Sequence, residues 1–241
     1  MSAILYLLPN LISQSIENSG IPEYNYQVIR KLKHFIVESR KPVNHLLKLA
    51  GVKTPFEGIN FYEYNEHSNE NEIEGIIIPL LKGEDMGLVS DAGYPAIADP
   101  GEKIILAVHH HHIRVVPLSG PSSILLALTA SGLNAEQFVF HGYLPVKPHQ
   151  RKLFLQKIEN ESFKSGYTQI FMDTPYRNQA VFKELIAILK PETWLCVAME
   201  LFGNTEKINT LPVKEWKKLS FQPEKKNVVF LLNAGKSSQS S

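Results

Sequence analysis

The chain has 241 residues, 44% of them hydrophobic, which is enough for one large domain or two of about 120 residues. Lys and Arg number 25 and Asp and Glu 24, and the resulting net charge of +1 excludes strong long-range attraction to nucleic acid. No apolar run approaches the roughly 18 residues of a membrane-spanning helix, and no signal-peptide pattern is present, so we expect a cytoplasmic protein without a membrane partner. The single cysteine, Cys196, excludes an intrachain disulfide.

Short apolar strands alternate with amphipathic helices through the first half of the chain. Strands are predicted at residues 3–8, 34–37, 60–64, 86–90 and 113–117, and helices at 26–33, 42–50, 69–82 and 102–108. Such alternation over short connections predicts an α/β domain with a mainly parallel sheet and helices on both faces. We assign this N-terminal domain to residues 1–118.

The second half has a different order of elements. Strands are predicted at residues 138–143, 168–172, 194–200, 207–211 and 227–233, and helices at 124–130, 150–158 and 213–219. Because two strands follow one another directly after Glu200, antiparallel pairing is expected and the sheet should be mixed. This C-terminal α/β domain spans 119–235, and the serine-rich residues 236–241 are predicted to be a disordered tail.

The segment VSDAGYPAIADPG at residues 89–101 follows the fourth predicted strand, where open α/β sheets bind ligands. Gly93 allows close backbone approach and the alanines leave space, which favours a bound nucleoside. Asp99, with Pro100 and Glu102, matches a capping box for the next helix. Asp91 lies too early to cap that helix, and it either contacts a ligand or braces its own turn.

Three further segments carry polar side chains. Ser122 and Ser123, at a helix start, form either a cradle for a carboxylate or ribose or an ordinary cap. Thr174 and Pro175 match a cap and first helical position, which places Arg177 on the first turn as a functional or a solvated cation. The run of four histidines at residues 109–112 points to several helix faces, so we expect no metal site.

Four segments in a fixed order carry a resemblance to a known family. VSDAGYPAIADPG, IRVVPLSGPSSILLALTASGL, QFVFHGYLP and FMDTPYR together resemble the tetrapyrrole methylase superfamily, and within it the small-subunit ribosomal RNA 2′-O-cytidine methyltransferases. The match covers nearly the whole chain. It implies S-adenosylmethionine bound in a cleft between two α/β domains, a homodimer, and ribosomal RNA or the small ribosomal subunit as a partner.

The family pattern also implies which residues contact the cofactor. These cofactor-binding residues are Pro9, Gly93, Tyr94, Ile97, Ser122, Ser123, Met172 and Met199. They follow or end predicted strands, and backbone-rich loops there suit a ligand with a carboxylate, a ribose and an adenine ring. No G-x-G-x-x-G follows the first strand, which argues against a dinucleotide-binding Rossmann domain.

The substrate-facing motifs depart from the family pattern. PNLISQS replaces P-T-P-I-G-N-L, VESR replaces A-E-D-T-R, and DTPYR replaces E-S-P-H-R, while Tyr94 stands where relatives have threonine. Three functions therefore stay open: methylation of ribosomal RNA, methylation of a tetrapyrrole or other small molecule, and non-catalytic binding of S-adenosylmethionine.

Methylation of a ribose hydroxyl requires removal of its proton, and a carboxylate base serves this purpose. Glu38, Asp91 and Glu200 are the candidate bases, each at a predicted strand end, and Arg177 or Arg40 is a candidate phosphate contact. Basic clusters at residues 30–34, 147–152 and 214–218 are either RNA contacts or solvated helix surface.

Overall fold

The computed structural model describes residues 3–13, 20–223 and 225–235, and the chain divides into two units, Met1–Ser122 and Ser123–Ser241. The domain limits of 1–118 and 119–235 stay a prediction, and the predicted tail at 236–241 lies outside the described residues. Within the described ranges, no helix combines the length and the apolar character that a bilayer crossing requires.

A five-stranded parallel sheet forms the centre of the first unit. Its strands are β1 (Ile4–Leu8), β2 (His34–Val37), β3 (Asn60–Glu63), β4 (Met86–Val89) and β5 (Arg114–Pro117). They pair in the order β3-β2-β4-β1-β5. The chain leaves β1 towards β2 on one side and leaves β4 towards β5 on the other. The carboxyl ends of β1 and β4 therefore border the switch point at which open α/β sheets bind ligands.

Helices cover both faces of this sheet, as predicted. They are α1 (Glu23–Ile29), α2 (Arg40–Leu49), α3 (Ile73–Ile76), α4 (Ile78–Leu81) and α5 (Glu102–His110). Side chains alternate along β2, so that Phe35 and Val37 pack with α1 and α2 in one hydrophobic cluster and Ile36 packs with α3, α4 and α5 in another. The amphipathic patterns of the sequence thus correspond to two separate cores on one sheet.

The single helix predicted at residues 69–82 is wrong. A 3₁₀ turn at Glu70–Glu72 precedes α3, and Ile77, with φ −85° and ψ 3°, separates α3 from α4. Pro79 has no N–H to donate to the carbonyl of Gly75, and its ring would collide with the preceding turn, so a continuous helix is excluded. Most of the apolar residues of this segment are buried as their spacing predicted, but they lie on two short helices.

The second unit contains a mixed sheet, which confirms the predicted architecture. Its strands are β6 (Phe138–Tyr143), β7 (Thr168–Met172), β8 (Trp194–Met199), β9 (Lys207–Pro212) and β10 (Val228–Asn233). They pair in the order β6-β7-β10-β8-β9, and only β6 and β7 are parallel. The direct β8 to β9 connection gives the antiparallel pair that the sequence predicted.

Four helices pack against this mixed sheet. They are α6 (Ser123–Ser131), α7 (Pro148–Ser165), α8 (Asn178–Ile188) and α9 (Val213–Trp216). The fully buried Trp216 packs edge-on against Phe182 of α8, and its indole N–H donates to the carbonyl of Leu195 at 2.8 Å. Helix α7 is nine residues longer than predicted, because Gly166, in the left-handed conformation, is the residue that ends it.

Two glycines of the first unit give opposite predictions for alanine substitution. A Cβ on Gly87 of β4 would lie 2.5 Å from Leu8 Cδ1 and 3.2 Å from Phe35 Cδ1, in a packed core. We expect Gly87→Ala to lower the free energy of unfolding by about 1–3 kcal/mol. A Cβ on Gly75 of α3 would have no atom within 4 Å, so Gly75→Ala should raise the free energy of unfolding by about 0.5–1 kcal/mol. Urea unfolding of both variants measures the difference, and equal stabilities would contradict this account of the core.

Candidate active site

Asn10 fixes the loop after β4 to the end of β1. The N–H of Asn10 donates to the carbonyl of Gly93 at 2.8 Å, and the N–H of Gly93 donates to the carbonyl of Asn10 at 3.1 Å. The Asn10 side chain, which is 1% exposed, donates to the carbonyls of Ser90 at 3.0 Å and Asp91 at 3.3 Å. Sequence reasoning missed Asn10, because a lone asparagine after a strand carries no signal of a partner 80 residues away.

The loop after β5 joins the same edge of the sheet. The Tyr94 hydroxyl accepts a hydrogen bond from the N–H of Gly120 at 2.9 Å. A Cβ on Gly120 would lie 2.4 Å from the Cβ of Pro9, so these two residues are in close contact. The three loops that brace one another are therefore the one after β1 with Pro9, the one after β4 with Gly93 and Tyr94, and the one after β5 with Gly120.

The backbone between Gly93 and Gly101 is strained. Ala96 and Ala98 have φ values of 63° and 60°, in the left-handed region that disfavours residues with a Cβ. Each such residue costs about 1–3 kcal/mol and persists only where the surroundings hold it, commonly at ligand sites. Between them lies Ile97, an apolar side chain that is 46% exposed. The loop therefore offers an apolar surface and closely approachable backbone.

The predicted capping role of Asp99 is wrong. The N-cap of α5 is Gly101, whose φ of 143° turns the chain between Asp99 and the helix, and no side chain caps the helix start. The Asp99 carboxyl is instead partly buried. Burial, and after it the negative charges of Glu38 and Asp91, raise the pKa of Asp99 to about 7. This acidic group changes charge near neutral pH.

Glu38 and Asp91 form a carboxyl cluster with Asp99. Burial, then the charges of Asp91 and Glu66, raise the pKa of Glu38. Asp91 accepts hydrogen bonds from the N–H of Ser39 at 3.2 Å and from its hydroxyl at 2.9 and 3.0 Å. Asp91 thus braces the turn after β2. The alternative that Asp91 braces its own turn is therefore wrong. The cluster joins the ends of β2 and β4, two neighbouring strands.

The remaining candidate residues lie at strand ends or at the boundary between the two units, in different surroundings. Met172 ends β7 and is half-buried, whereas the Met199 side chain at the end of β8 is 6% exposed and packs in the hydrophobic core. Ser123 begins α6, and Ser122 is the last residue of the first unit. Glu200 accepts a hydrogen bond from the N–H of Asn227 at 2.7 Å, which links β8 to β10.

Asp173 organises the turn between β7 and α8. Its Oδ1 accepts from the N–H of Thr174 at 2.6 Å and from Nε and Nη2 of Arg177 at 2.7 and 2.5 Å. Helix α8 starts at Asn178 with Arg177 as its N-cap, so the prediction that Thr174 caps it is wrong. The buried Asp173 carboxylate closes an extra turn before the helix, and Arg177 is ion-paired and not a freely solvated cation.

Several cations of the predicted basic clusters are already paired. Arg30 bonds to Glu23 and to the carbonyl of Ala50. Arg151 forms a bidentate ion pair with Glu184 at 2.6 and 2.7 Å and is 5% exposed. The buried Arg151 has Nε, Nη1 and Nη2 all bonded within the protein, so it has few N–H groups left for a polyanion, and these clusters offer fewer free charges than the sequence indicated.

The histidine run at residues 109–112 is exposed, and His111 Nε2 lies 3.1 Å from a carboxylate oxygen of Glu74. Among residues 3–13, 20–223 and 225–235, no three His, Cys, Asp or Glu side chains are arranged to hold a metal ion.

A sequence model of the Tetrapyrrole (Corrin/Porphyrin) Methylases matches residues 25–215, which is most of the chain. The chain belongs to this family. It is therefore an S-adenosylmethionine-dependent methyltransferase, and its two-unit α/β architecture is that of a tetrapyrrole methylase.

Relatives of this tetrapyrrole methylase share a name. A protein named ribosomal RNA small subunit methyltransferase I from Escherichia coli O157:H7 is 28% identical over 238 residues, which cover 98% of this chain and 79% of that protein. Proteins of the same name from Vibrio cholerae and Synechocystis are 31% and 34% identical, over 88% and 82% of this chain and 69% and 67% of theirs.

Two solved structures share the fold. The methyltransferase CobJ superposes with a TM-score of 0.61 at 12% identity, over 97% of this chain and 94% of that one. The uroporphyrin-III-C-methyltransferase from Thermus thermophilus gives 0.55 at 15% identity, over 97% and 93%.

The raised pKa of Asp99 predicts a pH-dependent stability. Its folded-state pKa of about 7 exceeds the ordinary 3.8, so between these values the folded protein holds a proton that the unfolded chain has released. Stability contributed by Asp99 therefore falls as pH rises through this range. We expect Asp99→Asn to raise the melting temperature relative to wild type at about pH 8 and to raise it less at about pH 5.

The control variant is Glu57→Gln, which removes an exposed carboxylate elsewhere in the first unit. Its effect on the melting temperature should be the same at both pH values. A difference between Asp99→Asn and wild type that did not grow with pH would contradict the account of this carboxyl cluster.

Proposed function

We propose that this protein transfers the methyl group of S-adenosylmethionine to a ribose 2′-hydroxyl of small-subunit ribosomal RNA. The carboxyl cluster of Glu38, Asp91 and Asp99, beside the three braced loops of the first unit, is the observation that carries the proposal. Similarity along 98% of the chain to a ribosomal RNA small subunit methyltransferase I supports ribosomal RNA as the acceptor.

The loops of the first unit fit this cofactor chemically. The exposed Ile97 side chain offers an apolar surface for adenine, and Gly93 allows the backbone to approach the ligand closely. The neighbouring carboxylates suit a ligand that carries positive charge. The residues proposed to hold the cofactor are Pro9, Gly93, Tyr94, Ile97, Ser122, Ser123, Met172 and Met199. S-Adenosylmethionine supplies an already activated methyl group.

The chain itself must remove the proton of the acceptor hydroxyl. Asp99 is proposed as the general base, because its partly buried carboxyl has a pKa near the working pH, where a base is most effective. Glu38, which accepts no hydrogen bond from the described residues, is the second candidate. Asp91 holds the turn at Ser39 and is proposed to position the carboxyl cluster, whereas Glu200 holds Asn227 and is proposed to position the end of β8 in the second unit. Arg177 bonds to Asp173 through Nε and Nη2, and the exposed 27% of its side chain is proposed to face an RNA phosphate.

We further propose a cytoplasmic homodimer. Strand β6 lies at the edge of the second unit's sheet, and it exposes Phe138, Val139 and Tyr143 to 39%, 38% and 54%. An apolar edge strand of this kind is suited to contact with a second copy.

Gly120→Ala tests the assignment of the cofactor to the braced loops. The new Cβ would collide with Pro9, a rigid ring, and would disturb the hydrogen bond from Gly120 to Tyr94. We expect the dissociation constant for S-adenosylhomocysteine, measured by calorimetry, to rise by about tenfold or more, which corresponds to about 1.4 kcal/mol.

Gly75→Ala is the matched control for this binding measurement, because its Cβ meets open space in α3. It should bind S-adenosylhomocysteine like wild type. Unchanged affinity in Gly120→Ala, with its fold intact by circular dichroism, would place the cofactor elsewhere.

Transfer of a labelled methyl group to isolated small-subunit RNA tests the proposed reaction. We expect wild type to label the RNA, with kcat/KM falling as pH drops below about 7 because Asp99 becomes protonated. Asp99→Asn should lower kcat by about 10²–10⁴-fold and leave S-adenosylhomocysteine binding intact. Glu57→Gln should react like wild type.

Two results would contradict the proposal. If the labelled methyl group entered a small-molecule fraction of a cell extract and not the RNA, the acceptor would be a small molecule and the proposed RNA acceptor would be wrong. A rate for Asp99→Asn close to that of wild type would remove Asp99 as the base.

A further inference from the structure

Tyr176 stands in the turn between β7 and α8 and is 84% exposed, more than any other large apolar or aromatic side chain in the described part of the chain. It makes no hydrogen bond and no ring contact with described residues. An aromatic ring so fully in water contributes nothing to the hydrophobic core, so the fold itself does not require it.

The turn that carries Tyr176 is held firmly. The N–H of Arg177 donates to the carbonyl of Thr174 at 2.9 Å, and the guanidinium of Arg177 bonds to the buried Asp173 carboxylate. The Asn178 side chain donates to the carbonyl of Lys226 at 2.6 Å. The aromatic ring is therefore presented on a preorganised backbone, which lowers the entropy lost when a ligand binds.

Two buried acceptors beside this turn have no hydrogen-bond donor. Asp173 Oδ2 and Asn178 Oδ1 are shielded from solvent and are without a partner among the described residues, and the two residues are 4% and 0% exposed. An unpaired buried oxygen is costly. Because both oxygens are shielded from solvent, a base stacked on the exposed Tyr176 ring does not contact them, and the choice of ligand rests on the ring and the nearby cations.

Positive charge surrounds the same turn. Strand β10 is antiparallel to β7 with Val229 opposite Met172, so Lys225 and Lys226 lie beside the residues that follow β7. Lys225 is exposed, and the ion pair that Lys226 forms among the described residues is a distant one, 3.8 Å from Glu200. Together with the partly exposed Arg177, these lysines make the rim of the turn suitable for a polyanion.

We propose that Tyr176 is a stacking platform for one unpaired base of the RNA substrate, with Arg177, Lys225 and Lys226 facing the adjoining phosphates. An exposed ring can stack only on a base face that is not already covered, and a duplex covers its base faces. This inference rests on the proposed function, since it names the part of the RNA that the second unit recognises. It assigns Tyr176 to binding and not to the chemical step.

Fluorescence anisotropy with two RNA probes tests the platform. The probes are a labelled single strand of about 12 nucleotides and the same strand annealed to its complement. Tyr176→Ala should weaken binding of the single strand by about 5- to 150-fold and leave binding of the duplex unchanged, since base stacking is lost and phosphate contacts remain. Tyr176→Phe should bind like wild type, because the ring is retained.

Tyr24→Ala is the matched control, because Tyr24 is another exposed tyrosine, at 59%, in α1 of the first unit. It should leave the binding of both probes unchanged. The inference is overturned if Tyr176→Ala binds the single strand like wild type, or if its affinity for both probes falls equally. It is also overturned if wild type binds neither probe.

Methyl-transfer kinetics separate this inference from the proposed function. If wild type methylates ribosomal RNA and Tyr176→Ala does so with an unchanged KM, the platform is refuted and the proposed function stands. If wild type methylates no RNA but Tyr176→Ala still has a lower affinity for the single-stranded probe, the proposed acceptor is refuted and the platform stands. We expect a raised KM for RNA and unchanged affinity for S-adenosylhomocysteine.

Discussion

The paired backbone hydrogen bonds between Asn10 and Gly93 hold together the ends of β1 and β4, the strands that border the switch point of the first sheet. A sheet fixes where its strands end, but it does not fix the loops beyond them. Here the buried Asn10 side chain continues the connection into the loop after β4, and the contact of Pro9 with Gly120 extends it to the loop after β5. Ala96 and Ala98, with their left-handed backbone, lie in the same loop after β4 that these contacts anchor.

Electrostatics impose a second constraint on the same edge. Three carboxyl groups from the ends of β2 and β4 cannot all ionise without cost when they are partly removed from water. The structure reduces this cost by giving Asp91 the N–H and hydroxyl of Ser39, while Asp99 keeps its proton up to about pH 7. Two carboxyl groups in different surroundings thus behave differently: Asp91 is bonded to the turn after β2, and Asp99 changes charge near neutral pH.

Local patterns were sufficient to predict the strands and both sheet types, because strand order follows from alternation and from short connections. They failed where a distant residue decides the outcome. Asp99 has every local feature of a capping residue, yet Gly101 turns the chain and the helix starts without it. Asp91 binds Ser39 across 52 residues of sequence, and Asn10 binds Ser90 across 80, so no local pattern could reveal either contact. Thr174 does not cap α8, because the helix starts only at Asn178, after a turn in which the buried Asp173 bonds to Thr174 and Arg177.

Amide hydrogen exchange of the wild-type protein, with and without S-adenosylhomocysteine, tests the central claim most directly. We predict slower exchange on ligand binding in the strand-end segments 9–13, 90–101 and 118–122, since these braced loops would contact the ligand. Protection confined to other parts of the chain, or no protection at a saturating concentration of the ligand, would contradict the placement of the methyl donor at this edge of the sheet.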